Sequence, residues 1–324
     1  MGLIVQKFGG SSVRDRARLL RAMAIVKEAW ERGDEVVAVL SAQGDTTDEL
    51  LARVRELSDA APQRELDALL ATGETASVAL GAITLASLGV PAVSLSGWQV
   101  PVRTDGLHGG ANVTDVGAAR IRRELAAGRV VLVAGFQGVD AEGDVTTLGR
   151  GGSDTSAVAL AAFLGAERCI IYTDVDGVYT TDPRVCPAAR RLGTVSCDHM
   201  LRLAANGAQV LHDRSAALAA RYGVTVEVRS CEPESVGTLV EPDGEDRAPV
   251  TGVTRRRTGE TVRVTAIGRA LPSIAAVRTA VTALEAAGVT VLGVEEGEQR
   301  ITLLAHGADA DAALCAVHGA FFPS

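Results

Sequence analysis

Apolar runs of strand length alternate with helical stretches along the first two thirds of the chain. The strand-like runs are 2–8 (GLIVQKF), 35–42 (EVVAVLSA), 91–97 (PAVSLSG), 129–136 (RVVLVAGF), 167–177 (ERCIIYTDVDG) and 225–230 (TVEVRS). Helices are predicted between them over 14–32, 47–59, 115–127 and 154–164. Strands that are apolar on both faces and separated by helices build a mostly parallel sheet covered on both sides. The fold class expected is therefore α/β, a mostly parallel sheet sandwiched by helices.

After residue 240 the pattern changes. The segment 241–249 (EPDGEDRAP) is polar and contains proline and glycine, as linkers do. Beyond it come a strand at 261–268, a helix over 272–287, strands at 289–294 and 299–306, and a helix over 309–321. That order is ferredoxin-like without its last strand, which residues 250–254 could supply. The expected division is a domain at 1–240, a linker at 241–249 and a small domain at 250–324.

Composition narrows the chemistry. The 324 residues carry a formal net charge of −8, which argues against nucleic acid or an anionic membrane surface as partner and favours a small metabolite. The longest apolar run, near 157–166, is shorter than a membrane span and suits a buried helix. No membrane segment and no leader are expected, and the expected location is cytoplasmic. The five cysteines are scattered and form no C-x-x-C pair, so reduced thiols filling the core are expected. The histidines show no ligand spacing, and no metal site is assigned to the protein.

Polar and glycine-rich clusters fall where predicted strands end, the place where open α/β sheets bind ligands. They are KFGGSS (7–12), SAQGDTTDEL (41–50), TGE (72–74), RTDG (103–106), GRGGSDTSA (149–157) and YTDVDGVYTTDPR (172–184). Each alone has an ordinary reading: Asp45 or Ser153-Asp154 as helix caps, Asp182-Pro183 as a turn. Together they describe an anion site. Gly9 and Gly10 let the backbone approach a ligand; Arg150 binds carboxylate or phosphate; Asp154, at a helix start, could hold Lys7. Neither the P-loop pattern nor the dinucleotide fingerprint is present.

In order along the chain, KFGGSSV, SAQGDTTDELL, ATGE, GWQ, RTDG-LHG, VAGFQGVD, TTLGRGGSDTSAVALAA and YTDVDGVYTTDPR resemble aspartate kinases of the amino acid kinase fold family. The last unit is similar to their ACT regulatory modules, with room for one where two are usual. The resemblance implies transfer of the ATP γ-phosphate to the side-chain carboxylate of L-aspartate, with Mg2+ held by ATP oxygens and water, in a homodimer. It implies that Lys7, Gly9, Gly10 and Asp154 are catalytic. Ser41, Thr47, Glu74, Arg150, Gly151, Gly152 and Ser153 would hold aspartate. Lys7, Phe8, Gly9, Gly10, Ser11, Thr173, Asp174, Tyr179, Asp182, Pro183, Arg184 and Gln209 would hold the nucleotide.

Two departures stand out. Gln209 replaces a lysine usual in a GAKVLHPRS-like segment, and Asp213 replaces its proline. An amide donates a hydrogen bond but brings no charge to phosphates. The competing readings are a regulatory or sensing subunit with an impaired kinase site, and a related kinase with another acceptor; SAQGDTTDELL and TGE favour aspartate.

Overall fold

The structure, a computed structural model, describes residues 2–232, 235–246 and 248–323. Residue 247 of the expected linker, and residues 1, 233, 234 and 324 of the expected domains, lie outside the described residues. In chain order the first elements are β1 (Leu3–Phe8), α1 (Gly10–Val13), α2 (Arg16–Glu31), β2 (Glu35–Leu40), α3 (Thr46–Leu57), α4 (Gln63–Ser87), β3 (Ala92–Leu95), β4 (Val102–Thr104) and β5 (Val113–Val116). There follow α5 (Ala119–Ala126), β6 (Val130–Ala134), β7 (Gln137–Val139), β8 (Val145–Thr147), α6 (Gly152–Leu164), β9 (Arg168–Thr173), β10 (Thr194–Ser196), α7 (Cys197–Ala205), α8 (Asp213–Tyr222) and β11 (Val226–Ser230). The chain continues with β12 (Thr238–Glu241), β13 (Gly252–Thr258), β14 (Thr261–Ile267), α9 (Ile274–Ala286), β15 (Gly293–Gly297), β16 (Arg300–His306) and α10 (Ala310–Phe321).

Two compact units divide the chain: residues 1–176 with 221–236, and 177–220 with 237–324. This division by packing is interleaved in sequence and falls elsewhere than the expected one at 240–250. In the first unit, strands β11-β9-β1-β2-β6-β3 lie side by side and all pair in parallel. Helices α2 and α4 pack on one face, where Leu19, Met23, Val26, Val78 and Leu85 meet Ile4, Phe8, Leu40 and Leu132 in one buried cluster. Helix α6, almost wholly buried, packs against β1 and β9. A small second sheet, β5-β4-β7-β8, was not foreseen. It also corrects the helix expected from 115: residues 113–116 pair with β4, and α5 begins only at Ala119.

The 25-residue α4 also escaped the sequence reading. It is long and apolar enough to span a membrane by length and composition, against the expectation that no segment would be. Its buried residues include Asp67 and Glu74, which bond within the first unit. Its sequence shows little periodicity because the exposed side carries apolar residues too, Leu80 and Ile83 among them, opposite the buried stripe of Ala71, Val78 and Leu85.

In the second unit β13-β14-β16-β15 form an antiparallel sheet, and β13 fills the edge place foreseen for 250–254. Strand β15 is GVEEG, shifted from the expected VTVLGV. Its register is set by the turn to β16, where Gln299 has φ 54°, and by Arg263 forking onto Glu295 across the sheet. Val289, ahead of the strand, goes into the core instead. A further correction concerns the cysteines: Cys186 and Cys315 form a disulfide, while Cys169, Cys197 and Cys231 are free. Their separation of 129 residues is why no local spacing announces the pair.

Candidate active site

The candidate residues of the first unit gather at the carboxyl ends of its parallel strands. Strand β1 ends in Phe8, and the next residue, Gly9, caps the short α1 with extended backbone. A Cβ on Gly10 would stand 2.7 Å from the Ala42 carbonyl oxygen, so only glycine fits. Backbone bonds lash the neighbouring loops to this turn: Ser41 N–H donates to Phe8 O (3.1 Å) and Gly44 N–H to Gly10 O (3.1 Å). The Gly9 N–H reaches Tyr172 O at 3.4 Å, continuing the ladder to β9. The Gly10 N–H, at the first helical position, has no intrahelical acceptor.

Lys7, the penultimate residue of β1, is 9% exposed, and its Nζ lies 2.6 Å from Asp154 Oδ1. The cap reading of Ser153-Asp154 does not hold. Helix α6 starts at Gly152 behind Gly151, whose φ is 66°, and no side chain caps it. Asp154 in the first turn is thereby left to orient Lys7. Gly152 is required by contact, since a Cβ there would stand 2.8 Å from the Phe136 ring. Ser153 is buried, and Arg150 is exposed with no ion pair among the described residues.

Glu74 is the most telling group. It is 3% exposed; Oε1 accepts from Ala42 N–H at 3.0 Å, and buried Oε2 has no partner among the described residues. Burial pushes its carboxyl up to about 7 against the pull of the Ala42 N–H. A buried carboxylate oxygen without a donor is a vacancy for a cation or a hydrogen-bond donor. Ser41 and Thr47 are both half-buried beside the same loop, Thr47 in the first turn of α3.

Two residues overlooked as site residues set this geometry. Gln137 is wholly buried; its Nε2 donates to Ala71 O at 2.6 Å and its Oε1 accepts from Gly97 N–H, fixing the turn of α4 that carries Glu74. Asp67, also wholly buried, accepts from Thr147 Oγ1 (2.6 Å), Thr147 N–H and Gly109 N–H, with His108 Nδ1 at 2.9 Å. The available signal was polarity at positions flanked by apolar ones. Phe136, just before Gln137, has φ 66°, a strained setting for a bulky residue.

Of the nucleotide candidates, Phe8 is buried and stacks on Tyr172 at 4.7 Å, so its side chain belongs to the core. Ser11 lies exposed in α1. Thr173 donates to Asp174 at 3.0 Å at the end of β9. The others belong to the second unit. There Asp182 is held by Arg184 through its backbone N–H and guanidinium, which lowers its carboxyl pKa. Tyr179 pairs with Arg191 in a β-bridge, Pro183 is exposed, and Gln209 lies exposed in a loop after α7. Among the described residues no group of three or more His, Cys, Asp or Glu could hold a metal ion.

The family model for the amino acid kinase family matches residues 2–230. The chain belongs to the amino acid kinase family. An aspartokinase of Bacillus sp. (strain MGA3) is 48% identical over 270 residues, which are 83% of this chain and 65% of the relative. An aspartokinase of Mycolicibacterium smegmatis is 50% identical over 279 residues, 85% of this chain and 65% of the relative. The chain spans about two thirds of the length of these curated relatives. Among solved amino acid kinases, E. coli aspartokinase III in complex with aspartate and ADP superposes with a TM-score of 0.72 at 26% identity, covering 95% of this chain and 80% of that one.

Proposed function

We propose that the protein is an aspartate kinase, transferring the ATP γ-phosphoryl group to the side-chain carboxylate of L-aspartate to give 4-phospho-L-aspartate. The observation that carries the reading is the Lys7–Asp154 pair at the Gly9-Gly10 turn, beside a buried Glu74 with one unpartnered oxygen. A carboxylate oxygen of aspartate attacks the γ-phosphorus; the bond to the bridging oxygen breaks, and ADP leaves with the electron pair. No base is needed, because the aspartate side chain is ionised at neutral pH. Lys7 neutralises charge growing on the transferred group, and the Gly10 N–H adds a donor. Glu74 takes the α-ammonium and Arg150 the α-carboxylate, a pairing that selects an α-amino acid. Ser41, Thr47 and Ser153 complete the aspartate pocket. Mg2+ travels with ATP, held by phosphate oxygens and water.

The relatives named as aspartokinases and the neighbour holding aspartate and ADP support this substrate choice. Thr173 and Asp174, with Tyr179, Asp182, Pro183, Arg184 and Gln209, are proposed for the nucleotide. The domain division at 240–250, an ACT character for 250–324, a homodimer and a cytoplasmic location belong to the same proposal. The four-stranded antiparallel sheet with α9 and α10 supports the ACT reading.

The test couples ADP release to a spectrophotometric signal, with ATP, Mg2+ and a panel of acidic amino acids. Aspartate-dependent turnover is expected. Lys7→Ala should lower kcat by about 10²–10³-fold, whereas Arg150→Ala should act mainly on the aspartate KM. Turnover with a different acceptor and none with aspartate would replace the substrate assignment; unchanged kcat in Lys7→Ala would remove the mechanism.

A further inference from the structure

We infer that the first unit holds a second small-molecule site, on the sheet face opposite Lys7, for a metabolite bearing an oxyanion and a hydrogen-bond donor. Successive strand residues point to opposite faces, so Gln6 faces away from Lys7. Gln6 shares its face with Ile4 and Phe8, which pack under α2. On β9 the same face carries Arg168, Ile170 and Tyr172, and on β11 it carries Glu227 and Arg229, aligned by the parallel register. Helix α2 does not fill the space beyond β1. A cavity of about 550 Å³ remains, lined by Gln6, Arg21, Arg32, Arg168, Tyr172 and Arg229 among others.

The floor of this cavity is polar where a sandwich core is ordinarily apolar. Gln6 is 1% exposed, and among the described residues neither its Oε1 nor the buried Nε of Arg229 has a hydrogen-bond partner. A buried polar atom left unpaired is destabilising, so a sequence that retains two of them in one cavity has a use for them. The rim carries four arginines with Glu28 and Glu232 among them, and Glu227 and Asp34 lie within ion-pair reach. Arg21 is taken by Glu232 at 2.5 Å, and Arg229 by Glu227 at 3.0 Å. Arg168 has no ion pair among the described residues, and Arg32 stands 3.7 Å from Asp34. Arg32 and Arg168 are therefore the hands for an oxyanion, Arg229 Nε is a third donor, and Gln6 Oε1 requires an O–H or N–H from the ligand. Hydrogen phosphate, a phosphate monoester or a hydroxy acid meets that pattern.

The experiment uses the full chain carrying Lys7→Ala and Arg150→Ala, which disables the oxyanion contacts of the candidate active site. Isothermal titration with inorganic phosphate and, separately, with malate distinguishes a phosphate ligand from a hydroxy acid. One saturable site is expected for at least one probe. Adding Arg32→Ala with Arg168→Ala should weaken it at least tenfold, and both residues are exposed, so the fold should survive their loss. Gln6→Met, which keeps the shape and removes the acceptor, should weaken the same probe about fivefold. Absence of saturable binding by either probe, or binding indifferent to Arg32 and Arg168, would overturn the inference without touching the kinase assignment.

Discussion

At the scale of single residues, the proposed chemistry turns on a carboxyl group that is buried with only one of its oxygens hydrogen-bonded among the described residues. Glu74 is buried, half-satisfied and titrates near 7 rather than 4.5. Because its folded pKa is raised, the folded state binds more protons than the unfolded chain between about pH 4.5 and 7. The ligand-free protein therefore gains stability from this group as pH falls through that window and loses it as pH rises. In the proposed function, bound aspartate would reverse the preference, since its ammonium favours the ionised carboxylate. The KM for aspartate should rise roughly tenfold per pH unit below 7 and level off above 8, while the substrate's own side chain stays ionised down to about pH 4. Glu74→Gln should flatten that profile and raise KM throughout. A profile for the variant parallel to the wild type would show that some other group binds the ammonium.

At the scale of elements, the site depends on how closely α4 approaches the sheet. Gly81 faces β2 and β6, where an added Cβ would come within 2.6 Å of Leu132 Cδ2 and 2.9 Å of Leu40 Cδ1. Both neighbours are buried and cannot swing away. Gly81→Ala is expected to destabilise by about 1–3 kcal/mol through overpacking, displacing the helix that carries Glu74. Gly319, inside α10, is exposed and a Cβ there meets nothing. Gly319→Ala should be neutral or stabilising by up to about 1 kcal/mol. Urea melts of both variants check the contrast; equal effects would mean that backbone entropy, not helix–sheet contact, governs Gly81.

At the scale of the whole molecule, the cysteines give a direct check on long-range pairing. Cys186 and Cys315 join the segment after Asp182-Arg184 to α10 within the second unit. Thiol titration of the denatured protein should count three free groups before reduction and five after. Five at the outset would restore the expectation of reduced thiols. A long loop closed by one bond restricts the unfolded chain, so its loss should lower stability by about 2–5 kcal/mol where the bond is present.

The alternation of fully apolar strands with helices was legible because each such strand must be covered on both faces, a requirement written into its own residues. Gly10, Gly151 and Gly152 were legible for a related reason: a backbone that packs closely on a neighbour or turns left-handed needs glycine at that position. Tertiary structure decided what depends on partners distant in sequence. It made α4 a helix although its apolar residues lack a period. It set β15 by its neighbour's register against the local preference of VTVLGV, and it chose Cys315 for Cys186. It also gave Gln6, Asp67, Gln137 and Glu74 their meaning. A polar side chain carries the same local signal on a surface as in a core, and only the fold determines which of its atoms find partners among the neighbours it brings together.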